Sequence, residues 1–353
     1  MAKDKTSSIL KSAKYGTLAT LADVKAFKKK IDKQNTLVSK DVLGLNVLFS
    51  GELDGGFEPG FNLVVAKSKS FKTNLGVMMI KEFLDKNPTG TVTYYDCENG
   101  ASIETFEEYG VDLNRVRYVE IYHVGDLKLK MMESLTSIQD GEKNFYFVDS
   151  LAMLPSKFDF EQTVEGDSKD DMKRAKEITA FFRATTSLVN RHDVFTYIIG
   201  EGYMTMDFIP KLVVAGGEKV EKACDNVLYI TRSNIKEGDS LVGYTFKVRS
   251  YKSRSVKEGS IVPINARWDL GIEKYGGFDE IALSCGIIEK VGLSYVFKSK
   301  NTQKEYKTKM KHNGYDEEFW DAVIKESDLN SVIQKKYMLP EKYSASLRVN
   351  TKL

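Results

Sequence analysis

Between residues 63 and 200 the sequence alternates short, nearly unbroken apolar runs with segments of helical periodicity. The runs fall at 63–66, 91–96, 116–121, 144–150 and 194–200, with helices expected at 73–84, 102–109, 127–138 and 170–190. A run apolar at nearly every position, rather than at every second one, belongs to a strand covered on both faces. Parallel neighbours need a long crossover between them, and the helices supply it. The expected fold is therefore α/β: a mostly parallel central sheet with helices on both faces. Three further runs, 226–232, 244–251 and 260–268, lack long helices between them and should add antiparallel edge strands. A helix at 278–285, a hairpin at 296–310 and helices at 317–326 and 329–337 complete the reading. Residues 1–45 are lysine-rich with apolar residues at helical spacing and read as an arm of one or two short helices. The expected domains are this arm (1–45), a core (46–286) and a small α+β C-terminal unit (287–353).

In such a sheet, ligands sit beyond the carboxyl ends of the strands. The first run leads through Lys67, Ser68, Lys69, Ser70 and Phe71 into Lys72, Thr73, Asn74 and a helix. The first amides of a helix have no internal partners and face an anion placed before them. A lysine there adds a point charge, and a hydroxyl suits Mg²⁺. Strand, loop, Lys-[Ser/Thr] and helix form the layout of a phosphate-binding loop. Both glycines of G-x-x-x-x-G-K-[ST] are missing, however: Ala66 stands at the first and Phe71 at the second. Alone, the stretch reads either as that loop or as a helix start with a solvated lysine.

Two other strand ends bear on the choice. One closes Asp96-Cys97-Glu98, the other Asp149-Ser150. An Asp closing an apolar strand after a phosphate loop is the Walker B pattern, which holds Mg²⁺ directly or through water. A Glu on a neighbouring strand end can polarise an attacking water. Each acid alone is equally a loop acid or a helix cap. Together with Lys72 and Thr73, in this order along one sheet edge, they read as a site for ATP and Mg²⁺. Residues 67–74 would surround the phosphates, Thr73 and Asp149 would hold the metal, and Glu98 would be the catalytic carboxylate.

Composition narrows the partners. A net charge of +2 over 353 residues leaves no global field, so any basic surface must be local. No apolar run approaches the ~18–20 residues that span a bilayer, and the first residues carry no apolar signal core. No membrane role is expected, and a cytoplasmic location is. Cys97, Cys224 and Cys285 have no disulfide or zinc spacing. His123, His192 and His312 are scattered and read as structural or solvated.

Four stretches resemble the RecA-type recombinases, and within them the phage UvsX-like branch. Residues 68–74 resemble that branch's phosphate loop, which also carries Phe at the second glycine. Asp171-Met-Lys173-Arg174-Ala-Lys176 resembles the opening of the helix after the first DNA-binding loop. Tyr251-Lys252-Ser-Arg254 resembles the family's Lys-Ser-Arg segment, and residues 51–56 the turn before the core. The resemblance covers about residues 40–290. It implies a RecA-like ATPase core, DNA-dependent ATP hydrolysis, and a helical filament on single-stranded DNA for homologous pairing, strand exchange and repair. It makes 1–45 a polymerisation arm. It implies that Lys252 and Arg254 act catalytically on the γ-phosphate of a neighbouring subunit. It places DNA-binding residues in 154–170 (Lys157, Lys169), at the start of the helix that follows (Lys173, Arg174) and in 210–225 (Lys211, Gly216, Gly217, Lys219, Lys222). Duplex DNA, single-strand-binding proteins and loader proteins are further implied partners, and a phage-encoded chain would work in the host cytoplasm. The lysines at 298, 300, 304, 307, 309 and 311 form either a duplex-gathering hairpin or a solvated face.

Three departures bear on turnover. Ala66 replaces a glycine, Gly200-Glu201 stands where the family has Asn-His near the γ-phosphate, and Thr105 stands at the adenine-stacking tyrosine, with Phe106 or Tyr109 as substitutes. Ala66 and Gly200-Glu201 keep open a non-hydrolysing or weakly hydrolysing filament scaffold or regulator; a hexameric helicase on the same core is a third reading, against which the Lys-Ser-Arg segment and the turn at 51–56 count.

Overall fold

In the structure, a computed structural model, residues 35–98, 100, 103–163, 171–204, 212–214, 218–310 and 313–339 are described. The expected arm helices up to residue 34 lie outside them. Residues Leu37–Leu353 group as one compact unit. It opens with α1 (Leu43–Ser50), buried from Gly44 onward, which ends at Gly51 with φ 75°. Only glycine takes that left-handed angle without cost.

The core alternates as the apolar runs require: β1 (Gly60–Ala66), α2 (Lys72–Lys86), β2 (Thr91–Asp96), α3 (Ile103–Glu108), β3 (Val116–Glu120), α4 (Val124–Ser137), β4 (Asn144–Asp149), α5 (Lys157–Thr163), α6 (Asp171–Arg191) and β5 (Phe195–Met204). Then follow β6 (Leu212–Val214), α7 (Glu218–Ala223), β7 (Asn226–Glu237), β8 (Ser240–Lys252), β9 (Ile261–Arg267) and β10 (Gly271–Ile272). The sheet order is β10-β9-β8-β7-β1-β5-β4-β2-β3, with β6 on β5. Neighbours from β7 through β1 to β3 are parallel, and β7 to β10 are antiparallel, as expected from the missing helices there. Helix α8 (Phe278–Ser284), the small sheet of β11 (Glu289–Val291), β12 (Ser294–Lys298) and β13 (Glu305–Lys309), and helices α9 (Glu317–Glu326) and α10 (Leu329–Tyr337) close the chain. The residues expected to form a separate C-terminal unit share a core with the main sheet: Trp320 stacks on Tyr275 and meets Phe278 edge-on.

Strand β1 shows why the apolar runs are unbroken. Phe61, Leu63 and Val65 face the core under α4 and α6, whereas Val64 and Ala66 face the core under α2. Helix α2 comes close to the sheet because residue 76 is glycine. A Cβ there would lie 2.5 Å from Phe147 and 3.0 Å from Tyr197. That approach brings the helix start against the ends of β4 and β5.

Candidate nucleotide site

The loop after β1 is strained, and the strain has an identifiable support. Lys69 and Phe71 have φ of 57° and 67°, left-handed values that cost a non-glycine residue about 1–2 kcal/mol. Phe71 stands directly before α2, where the glycine of the usual motif would give this angle freely. Its ring stacks on Phe246 of β8, with centroids 4.9 Å apart and planes 17° off parallel. Such a pair contributes about 0.5–1.5 kcal/mol beyond its area, enough to offset much of the backbone cost. Arg232 of β7 donates to the Lys69 carbonyl at 2.9 Å and lies 4.4 Å from the Tyr244 ring. Phe246→Ala should therefore loosen the loop and weaken nucleotide binding severalfold, with the fold retained; fluorescent-nucleotide titration beside circular dichroism checks it.

Ala66 is explained differently. It lies within β1, fully buried and paired with Glu201, and it is not a positive-φ residue. Ordinary strand angles make its methyl group harmless. Lys67, Ser68 and Lys69 are exposed at the loop crest, Ser70 is buried, and Asn74 hydrogen-bonds Tyr109 through its side chain. Phe106 is withdrawn into the core against Tyr94 and Phe147, which removes it as an adenine partner.

Lys72 folds back over the loop. Its ammonium donates to the Ala66 carbonyl at 2.9 Å and to that of Lys67 at 3.4 Å. Burial lowers its pKa, opposed by the charges of Glu201, Asp149 and Glu98, in that order. Its carbonyl accepts from the buried Tyr197 hydroxyl at 2.8 Å. Glu201 thus belongs to the Lys72 neighbourhood, and strand register puts it beside Ala66 on β5, between β1 and β4.

Thr73 donates through its hydroxyl to Asp149 Oδ2 at 2.9 Å. Burial raises the Asp149 pKa to about 6; the Thr73 hydrogen bond opposes this, Glu98 and Asp96 add to it, and Lys72 opposes it. The same register step carries Asp96 on β2. Asp96, only 1% exposed, accepts from the Glu98 amide and from the Tyr118 hydroxyl, each at 3.0 Å. The Glu98 carboxylate accepts from the Ser150 hydroxyl at 2.6 Å. Asp96, Ser150 and Tyr118 are site residues that the sequence reading missed. The polar ends of two apolar runs flag the first two, and nothing local flags Tyr118.

The donor set fits Mg²⁺. Among the described residues no group of three acids, cysteines or histidines is gathered as for a transition metal. One hydroxyl and one carboxylate at a phosphate loop are what Mg²⁺ takes, its other positions going to water and phosphate oxygens.

The residues expected to reach DNA or a neighbour have partners of their own. Lys157 is exposed, 3.7 Å from Glu161. The Lys173 ammonium lies 3.1 Å from the Phe158 ring centre. Arg174 donates to the carbonyls of Leu151, Ala152 and Leu154, which assigns its guanidinium to holding the turn after β4. Lys219 and Lys222 are exposed on α7. Lys169, Lys211, Gly216 and Gly217 lie outside the described residues. Lys252 pairs with Val227, the second residue of β7, and Asp225 just before that strand accepts from the Phe61 amide near the start of β1, so Lys252 stands toward the opposite end of the sheet from the loop that follows Ala66. Its ammonium donates to the carbonyls of Glu221, Lys222 and Cys224, and Arg254 forms an ion pair with Asp225. No described helix is long and apolar enough to cross a membrane.

No family model matches the chain. Individual relatives do. The recombination and repair protein of Enterobacteria phage T4 is 29% identical over 342 residues, 95% of this chain and 86% of that protein. RecA of Campylobacter hominis is 24% identical over 307 residues, 85% of this chain and 83% of its own length. RecA of Cereibacter sphaeroides is 23% identical over 239 residues, about two thirds of each. With the parallel sheet, the Lys72-Thr73 loop and the paired strand-end acids all in order, the chain is similar over nearly its whole length to the UvsX-like recombinases of the RecA family.

Proposed function

We propose that this protein is an ATP-dependent DNA recombinase that assembles as a helical filament on single-stranded DNA and promotes homologous pairing and strand exchange in recombination and repair. The observation that carries the reading is the Thr73–Asp149 hydrogen bond with Glu98 held beside it by Ser150. ATP would lie along residues 67–74, its phosphates on the first amides of α2 and on Lys72. Thr73 and Asp149 would hold Mg²⁺, which supplies charge neutralisation between the phosphates when bound. Lys72 leaves the Ala66 and Lys67 carbonyls for the phosphates. Glu98 accepts a proton from the attacking water, held in place by Ser150 and by its amide on Asp96.

Lys252 and Arg254, at the far end of the sheet from their own loop, would act on a neighbouring copy's γ-phosphate, where a cation in trans stabilises transition-state charge. Single-stranded DNA would follow Lys157, Lys173, Lys219 and Lys222. The lysines on β12 and β13 are the candidates for duplex DNA. Single-strand-binding and loader proteins fit the same role. ATP hydrolysis measured with and without single-stranded DNA tests the reading. Stimulation of several-fold or more is expected, and its absence in folded, DNA-bound protein would overturn the enzymatic half.

Glu201 favours a second reading, a weakly hydrolysing filament scaffold. An acid beside Lys72 at the phosphate end opposes negative charge there. Glu201→Gln should tighten ATP binding about tenfold, the scale of one like-charge contact at a partly buried site. Under the scaffold reading, tighter binding comes with no gain in turnover; under the recombinase reading, kcat/KM rises with it.

A further inference from the structure

The two cations assigned above to a neighbour both fasten the end of α7. An ammonium has three N–H bonds, and Lys252 spends three hydrogen bonds on α7 and the residue after it: Glu221 at 3.2 Å, Lys222 at 2.9 Å and Cys224 at 2.6 Å. These carbonyls are orphans of a helix C-terminus, where a cation is favoured by both hydrogen bonding and the helix dipole. One residue further on, Arg254 neutralises Asp225, whose side chain is almost fully buried while that of Arg254 is 61% exposed. Asp225 in turn accepts from the Phe61 amide at 2.9 Å, and its own amide donates to the Phe61 carbonyl at 2.7 Å. Glu221, also buried, accepts from the Tyr229 hydroxyl. The same short helix presents Lys219 and Lys222 to solvent.

A lysine with every proton committed cannot also bind a phosphate. We propose that Lys252 and Arg254 form a latch. In the free subunit they hold residues 221–225; on assembly they exchange these carbonyls and Asp225 for the triphosphate of the adjacent copy, and α7 is released with its lysines. The latch rests on the reading that the two cations act in trans, and it adds a physical link between a neighbour's ATP and a helix that carries candidate DNA contacts. Asp225 is then a positioning residue. It holds Arg254 in reserve, and its grip must be overcome during assembly.

Two measurements decide it. In amide hydrogen exchange of wild-type protein, residues 221–225 should exchange about tenfold faster after assembly with a slowly hydrolysed ATP analogue than before, and Lys252→Ala should show the faster rate already in the free subunit. Equal or slower exchange on assembly overturns the latch. Asp225→Asn keeps an acceptor for the Phe61 amide while removing the charge that holds Arg254. It should lower the ATP concentration for half-maximal assembly about threefold, read by light scattering on single-stranded DNA. Structural damage alone would raise that concentration, and an unchanged or raised value counts against the latch. Loss of ATP hydrolysis in Lys252→Ala with unchanged exchange would remove the latch and leave the trans reading standing. Wild-type hydrolysis in Lys252→Ala would remove the trans reading and the latch with it.

Discussion

Glu98→Gln is expected to keep ATP bound and to lower kcat by about 10²–10⁴-fold, the usual contribution of a positioned general base. Glutamine retains an oxygen to accept from the Ser150 hydroxyl, and the amide of residue 98 still donates to Asp96, so the local geometry survives. Only the basicity is lost. Lys72→Ala should fail differently. The ammonium near the phosphate path disappears and binding itself weakens by more than tenfold, on the scale of a charge-assisted hydrogen bond. Fluorescent-nucleotide binding and phosphate release, measured on both variants, separate the two effects. Equal loss of binding in both would show that Glu98 holds the nucleotide rather than cutting it.

Asp149→Asn should make the nucleotide-free protein more stable and abolish its Mg²⁺-dependent activity. The folded carboxyl has a pKa near 6 against an ordinary value of 3.8, because burial and the charges of Glu98 and Asp96 disfavour its ionised form. The folded state therefore binds this proton more tightly than the unfolded one. The stability that Asp149 contributes is fully present below about pH 4 and is lost as pH rises through 6. At pH 7.5 the ionised carboxylate costs about 3 kcal/mol, which a neutral amide of the same shape avoids. A melting temperature several degrees higher for Asp149→Asn at pH 7.5, with the difference shrinking toward pH 4, is the expected pattern. The wild-type protein should also release a proton on taking up Mg²⁺ and nucleotide near pH 6. Calorimetry in buffers of different ionisation enthalpy reads this directly, and a heat independent of buffer would contradict the assignment of Asp149 to the metal.

Much of this site was legible before any coordinates because its residues are polar interruptions of apolar runs. Lys72, Thr73 and Glu98 follow strands and Asp149 closes one, and a parallel sheet brings the ends of such strands to one edge whatever the helices between them do. Phe71 was legible only as an irregularity. Its explanation lies in Phe246, on a strand whose pairing with the loop no local pattern encodes. Arg174 and Lys252 show the opposite difficulty. A cation at the start of a helix or on an edge strand looks the same in sequence whether its partner is a phosphate or a backbone carbonyl. The structure gives both residues carbonyls. Glu201 gained most from geometry: an odd residue at a strand end became a charge set beside Lys72.

The grip of β7 and β8 on the phosphate loop has a consequence for how the chain comes to life. Arg232, which fastens the Lys69 carbonyl, lies 163 residues downstream of it, and Phe246 is later still. A nascent chain on the ribosome that has exposed only β1 through β5 has the loop's residues but not its shape. Nucleotide cannot serve as an early folding template here. ATP competence should arrive abruptly, late in synthesis, when the antiparallel hairpin closes over the loop.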